Sequence, residues 1–296
     1  MVQELTPSSA GSGTVCSLNP ERVGRDGYLS LEFERRGQRT ELTRCRFRLP
    51  LQVTKPSYVD DDSSAYVLLL NPSGGLVGGD SLETTIRLRK GSSVCLSTPS
   101  ATSVYRALDS PASQRTDIVL EDECILEYFP EHLIPYPQSA LRQSLHVQMA
   151  ARSCVMLSEV FAAGRIARSE QWRFKELTSD TEIRLGNSPV FINKSRIVPL
   201  EILPQRLGFA EGFNYIASLV VAADGFNGWR GLVNALWNTL NAAPGVQGGA
   251  SLLGNSGCVA RFMASTAAQL TSVSGCLWAS AREIILKKPA LSRRMY

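Results

Sequence analysis

Two glutamates sit where a charge is costly. Glu127 lies inside the apolar run Ile125-Leu126-Glu127-Tyr128-Phe129, and Glu159 lies inside Met156-Leu157-Ser158-Glu159-Val160-Phe161. A carboxylate in such a run needs a counter-charge, hydrogen-bond donors or a bound cation. Two further acids stand at punctuated positions. Asp80 closes the stretch Asn71-Pro72-Ser73-Gly74-Gly75-Leu76-Val77-Gly78-Gly79-Asp80, and Glu170 follows Gly164-Arg165-Ile166-Ala167-Arg168-Ser169. Internal ion pairing is one use of these acids, with Arg106 and Arg165 as candidate partners. Paired carboxylates cleaving a glycosidic bond are another, decided by a separation that spacing along the chain does not give.

Other chemistries are poorly provided for. The glycine-rich stretch has no Gly-Lys-Ser/Thr and no G-x-G-x-x-G, and the segment after it, Leu82 to Leu88, alternates like a strand, so a phosphate there would lack a helix N-terminus. The local reading is a tight double turn in which Asp80 bonds nearby amides. Only two histidines exist, His132 and His146, which excludes an HExxH metal site and leaves a Ser-His-Asp triad poorly supported. His146 falls on the polar face of its strand, and His132 lies in a loop. The seven cysteines stand singly with no CxxC pair, several inside apolar stretches, as reduced buried thiols do.

The elements that position these residues are mostly strands. From Tyr28 to about Val221, short apolar or alternating runs recur between Gly, Pro, Asn and Asp. They include Tyr28 to Phe33, Ala65 to Leu70, Leu82 to Leu88, Ser93 to Ser97, Asp117 to Leu120, Cys124 to Phe129, Leu141 to Met149, Cys154 to Phe161 and Trp172 to Leu177, with a hairpin at Gly186-Asn187-Ser188. Three strands stop on a proline, at Asn71-Pro72, Thr98-Pro99 and Phe129-Pro130, 27 and then 31 residues apart. Such a spacing suits strands stacked as rungs of a coiled sheet.

The last quarter changes period. Trp229, Leu232, Val233, Leu236, Trp237 and Leu240 form one helical stripe ending near Pro244-Gly245. A second stripe, Leu270, Val273, Leu277, Trp278, Ala281, Ile284 and Ile285, stops before Pro289 and follows a strand at Cys258 to Met263. The fold class expected is mainly β, a helically wound, solenoid- or sandwich-like sheet with two C-terminal α-helices. Residues 26–296 read as a single domain, and residues 1–25, small and polar, as a flexible tail.

At 296 residues and 44% hydrophobic, the chain can bury a large core. Its net charge of +4 is scattered, without the basic stripe or stacking aromatics of a nucleic-acid binder. No apolar run reaches 18 residues, and the start of the chain has neither a basic n-region nor an apolar h-region, so the expectation is a cytoplasmic protein with no membrane partner.

Taken together, the punctuated segments resemble one family. Gly74-Gly75-Leu76-Val77-Gly78-Gly79-Asp80 resembles the GGxVGGD signature of the urease accessory protein UreD, also called UreH. In the same order, Leu96 to Arg106 resembles the family's LTTPxATKxYR segment, Leu126-Glu127-Tyr128-Phe129-Pro130-Glu131 its LEWLPQ segment, and Gly164-Arg165 with Glu170 its GRxxxGE motif. Departures are Asn71-Pro72-Ser73 where many relatives have His-Pro-Pro, Arg168-Ser169 before Glu170, and a final Leu291 to Tyr296 without the family's Pro-Arg-Ile-Trp ending.

The resemblance implies a non-catalytic scaffold that assembles with UreF and the GTPase UreG, two copies of each accessory subunit, and docks on apo-urease to deliver nickel. It implies no tightly bound cofactor, only transient nickel(2+) along an internal path, with Asp80, Glu127, Glu159 and Glu170 as candidate waypoints. Gly74, Gly75, Gly78, Gly79, Arg106 and Arg165 are then structural motif positions.

Overall fold

The computed structural model describes residues 2–4 as backbone, together with residues 25–58, 63–201, 204, 206–289 and 291. Strands and helices are numbered in chain order. The first sheet runs from edge to edge as β1 (Val2–Glu4), β3 (Arg39–Arg48), β2 (Asp26–Arg36), β6 (Ser81–Leu88), β9 (Ala112–Leu120), β12 (Ala140–Met149), β14 (Glu176–Leu185) and β15 (Ser188–Ile197). The second runs as β17 (Val246–Leu253), β18 (Gly257–Ala264), β16 (Tyr215–Ala223), β13 (Cys154–Ala162), β10 (Ile125–Phe129), β7 (Ser93–Ser97), β5 (Ala65–Leu70) and β4 (Gln52–Val53). Two short strands, β8 (Thr102–Val104) and β11 (Leu133–Pro135), pair at a corner of the winding.

From β5 to β14 the chain alternates between the sheets, and each strand pairs in parallel with the strand one turn earlier. Val94 thus lies between Ala65 and Leu126, and Leu126 beside Val155, so each turn takes roughly 30 residues, as a stacked repeat does. The proline stops mark the same corner on successive turns, since Ser97 is in register with both Leu68 and Phe129. The wound sheet anticipated from those stops is the fold observed.

Period-two alternation decides which side of each strand is buried. The inward side chains of both sheets, including Leu29, Leu31, Phe33, Ile86, Ile118, Leu126, Val155, Leu157 and Val220, form one core between them. The other face of the second sheet is covered by α1 (Trp229–Ala242) and α2 (Ala267–Ala281), which add Trp229, Leu232, Leu236, Leu277 and Trp278 to a second core. Thr266 and Gln269 make a capping box that starts α2, and a π-helical turn over Arg282–Leu286 ends the layer.

Several expectations are modified by packing. Trp237 belongs to the predicted stripe of α1 but is 45% exposed, because its ring lies at the helix flank above Gly249 instead of beneath the helix. Trp172 to Leu177 is not one strand: β14 begins at Glu176, and Trp172 sits in the left-handed region at φ 59°, where it stacks against Phe161, Phe174 and Phe209. Cys45, Cys95, Cys124, Cys154 and Cys258 are buried free thiols as anticipated, whereas Cys276 is exposed on α2 and Cys16 lies outside the described residues. Of the segment 1–25 expected to be a tail, Val2–Glu4 pairs with Arg46–Arg48, Arg25 is described, and residues 1 and 5–24 lie outside the described residues. Among the described residues, no helix is long and apolar enough to cross a membrane.

Candidate functional site

The two intrastrand glutamates separate at once, because they lie on opposite faces of one sheet. Glu127 is in register with Met156, so Glu159, three residues further along the neighbouring strand, points the other way. Glu127 faces the helices and Glu159 faces the first sheet. A pair of carboxylates on opposite sides of a sheet cannot flank one glycosidic bond, so Glu127 and Glu159 do not form the acid pair that the hydrolase reading needs.

Glu127 is 1% exposed and fully satisfied. Its Oε2 accepts a hydrogen bond from the Trp278 indole at 2.6 Å, and its Oε1 accepts one from the Arg282 guanidinium at 2.5 Å. Burial pushes the carboxyl's pKa up, and Arg282 is the chief opposing influence. Arg282 is itself 1% exposed and donates onward to the Pro289 carbonyl. Arg106 and Arg165 were the ion-pair candidates from sequence; Glu127 takes neither, and Arg282, which carries a readable signal, was overlooked. It falls four residues after Trp278, on the apolar stripe of the helix, where a lone arginine requires a buried acid.

Glu170 is also engaged. Arg165 grips it through two bonds, Nε to Oε2 at 2.5 Å and Nη2 to Oε1 at 2.8 Å, which lowers the pKa of the carboxyl. The guanidinium carbon of Arg165 lies 4.3 Å from the centre of the Tyr136 ring. Gly164, at φ 142°, has no room for a side chain, since a Cβ would lie 2.4 Å from the Glu170 carbonyl oxygen. The expected Arg165 ion pair is present as a loop clasp. Arg106 is exposed and bridges through its backbone to Ser139.

Asp80 is 8% exposed and closes the glycine loop, as the tight-turn reading required. Its Oδ2 accepts the Val77 amide at 2.8 Å, and Arg25 stands 3.7 Å from Oδ1. The glycines are there for close approach. A Cβ on Gly75, at φ 151°, would stand 2.3 Å from the Ser103 carbonyl oxygen, and one on Gly78 would stand 2.7 Å from the Ala107 backbone. Arg25 lies over Gly79 and donates to the Gly78 carbonyl at 2.9 Å. Leu76 meanwhile joins the corner strands by bridging to Val104.

Of the four acids, Glu159 alone lines the main cavity, a space of about 1050 Å³ between the two sheets. Gly74 and Gly75 border it, as do Thr84, Thr116, Gln143 and Ser179 from the first sheet. The inward row Thr84, Thr116, Leu145, Thr181 is in register across four strands. The row two residues earlier, Leu82, Gln114, Gln143, Ser179, is more polar, so this part of the interior carries hydrogen-bonding side chains within a hydrophobic sandwich. Thr181 donates to Glu159 Oε1 at 2.7 Å, and Ser179 is a second donor. Burial raises the pKa of the Glu159 carboxyl against these donors and against the positive charge of Arg261.

Among the described residues, no three His, Cys, Asp or Glu side chains converge in a form that could hold a metal. The Glu159 carboxylate among hydroxyl and amide oxygens is instead a weak, hard-donor set, suited to a divalent cation in transit and not to a closed site. The sequence predicted Glu159 but not Thr181, Ser179 or Arg261, because those partners come from strands of other turns and of the facing sheet.

Both histidines lie away from this space chemically. His146 Nδ1 is 3.2 Å from Asp117 Oδ1 on the outer face of the first sheet, and the His132 ring packs edge-on against Tyr215.

Comparison with known proteins finds relatives that carry one name. A chain named urease accessory protein UreD from Herpetosiphon aurantiacus is 30% identical over 279 residues, covering 91% of this chain and 96% of its own length. A UreD from Mycolicibacterium gilvum is 32% identical over 251 residues, covering 84% of this chain and 90% of its own. A UreD from an Arthrobacter species is 28% identical over 282 residues, covering 91% and 94%. The family model described as UreD urease accessory protein matches residues 25–296, every strand from β2 onward and the helix layer, and the chain therefore belongs to the UreD urease accessory protein family.

Proposed function

We propose that this protein is a non-catalytic scaffold of urease maturation. In this reading it works in the cytoplasm with UreF and the GTPase UreG, in a hetero-oligomer holding two copies of each accessory subunit. It binds no resident cofactor and passes nickel(2+), as cargo, to apo-urease. Any GTP hydrolysis belongs to a partner, since this sequence contains no phosphate-binding Gly-Lys-Ser/Thr motif.

The observation that carries the reading is the inter-sheet cavity with the carboxylate of Glu159 in its wall. A cation in passage must exchange part of its hydration shell for protein oxygens and still be able to leave, which favours isolated carboxylates over a thiolate cage. Glu127, Glu170 and Asp80 already serve an ion pair, a clasp and a turn, so Glu159 is the waypoint.

The test is co-purification of the full chain with UreF, UreG and apo-urease, followed by measurement of nickel incorporated into urease. Glu159→Gln is expected to assemble like the wild type and to leave urease poorly loaded. Assembly with full nickel incorporation by that variant would remove Glu159 from the path, and failure to bind UreF would remove the scaffold role itself.

A further inference from the structure

The Glu159 carboxylate in the cavity wall shares a strand row with a cation that the fold itself supplies. Glu159 on β13 is in register with Ser218 on β16, and Ser218 with Arg261 on β18, so the three form one row across adjacent strands. All three line the cavity. Two strand spacings of about 4.8 Å separate the backbones of Glu159 and Arg261. The guanidinium of Arg261 leaves its own sheet: its Nη2 donates to Asn193 Oδ1 on β15 at 3.0 Å, and its carbon lies 5.9 Å from the centre of the Phe191 ring. Arg261 thus forms a bar between the two sheets at the β15–β18 end of the cavity.

Other basic residues at this end are neutralised. Lys194 pairs with Asp180 at 3.2 Å, and Arg196 with Glu176 at 2.6 Å and Glu201 at 3.1 Å. Among the described residues, Arg261 and Glu159 are each without a carboxylate or cation within ion-pair distance, and each is held by a neutral partner, Asn193 and Thr181. The Arg261 charge acts on Glu159 through space. A side chain of this length, anchored by one neutral hydrogen bond at an exposed mouth, can turn from Asn193 along the row over the small Ser218.

We propose that Arg261 is an internal competitor for Glu159, a tethered cation that limits how tightly a divalent cation can bind there and favours its release. The proposal rests on Glu159 being a cation waypoint. With Arg261 in place, an arriving divalent ion meets both the carboxylate it needs and a like charge one short swing away. Binding is weakened, and the guanidinium is positioned to reclaim the acid when the ion leaves. Transport gains from this, since a conduit site that binds too well traps its cargo.

The experiment titrates Ni²⁺ by equilibrium dialysis into the full chain purified with its co-expressed accessory partners, whose own nickel sites are common to every variant. Arg261→Gln, which keeps a donor for Asn193, is expected to tighten the Glu159-dependent site by about tenfold and to slow its off-rate. Arg261→Lys, which keeps the charge, is expected to stay within about twofold of the wild type. The gain should vanish in the Arg261→Gln, Glu159→Gln double variant, with melting temperatures confirming that each variant is folded.

An unchanged affinity in Arg261→Gln, or an equal gain when Glu159 is also replaced, overturns the competitor role. If Glu159→Gln alone weakens nickel binding while Arg261→Gln does nothing, the waypoint reading stands and this inference falls. If Glu159→Gln binds nickel as the wild type does, both fall.

Discussion

Glu127 and Arg282, 155 residues apart in sequence, meet at 2.5 Å with each side chain 1% exposed. One belongs to the third turn of the wound sheet and the other to the π-helical turn that ends the helix layer, so the pair pins that layer to the sheet. The Trp278 indole completes the coordination of the carboxylate, and its ring lies 4.6 Å from that of Phe129. The acid in the LEWLPQ-like segment is therefore a structural tie.

Removing one partner should expose what the pair costs. Glu127→Ala takes the carboxylate away from the buried Arg282 guanidinium, and is expected to destabilise the fold by about 3–5 kcal/mol in urea unfolding. The double variant Glu127→Leu, Arg282→Met should be less destabilised than either single change, because the buried carboxylate and guanidinium are then removed together.

The glycine loop should tolerate no side chain at Gly75. There, Gly75→Ala combines a φ of 151° with a Cβ 2.3 Å from a carbonyl oxygen, and should cost about 2–4 kcal/mol by denaturant titration. Gly37→Ala, at φ 59° with open space around it, should cost only about 1 kcal/mol.

Asp80 should act through the turn it closes. Asp80→Ala removes the acceptor of the Val77 amide, and a loss of about 1 kcal/mol is expected, while Asp80→Asn should retain most of the stability. Thermal melts of the two variants side by side decide this.

Stability should vary with pH through Glu159. Its folded pKa is raised above the ordinary 4.5 by burial, so the native state holds this proton more tightly than the unfolded chain does. The group's contribution therefore favours the fold below about pH 4.5 and is lost as pH rises through the raised value. Glu159→Gln should accordingly melt higher than the wild type at about pH 8, with the gain disappearing at about pH 4. A gain of equal size at both pH values would show that it does not come from the charge.

The succession of strands is legible in the sequence, because alternation of apolar side chains and proline stops are local consequences of strand geometry. Ala65 to Leu70, Ser93 to Ser97 and Cys124 to Phe129 proved to be successive rungs, as their spacing implied. The helical stripes were equally plain, since period 3.6 is written into Leu232, Leu236 and Leu240. Trp172 was misjudged as a strand residue because its left-handed backbone is stabilised by Phe161, Phe174 and Phe209, two of them outside its own segment.

By itself, then, the sequence determined the wound sheet, its two helices, the tight glycine turn and the presence of acids that needed partners. Only the tertiary structure decided which partner each acid has. Glu127 and Glu159 look alike in sequence, two charges in apolar strands. A register that sets Glu127 beside Met156 sends one into the helix layer toward Arg282 and the other into the cavity opposite Arg261. The reason is that a strand fixes only the alternation of its side chains, while the sheets and turns that meet each face are set by pairing between segments far apart in the chain.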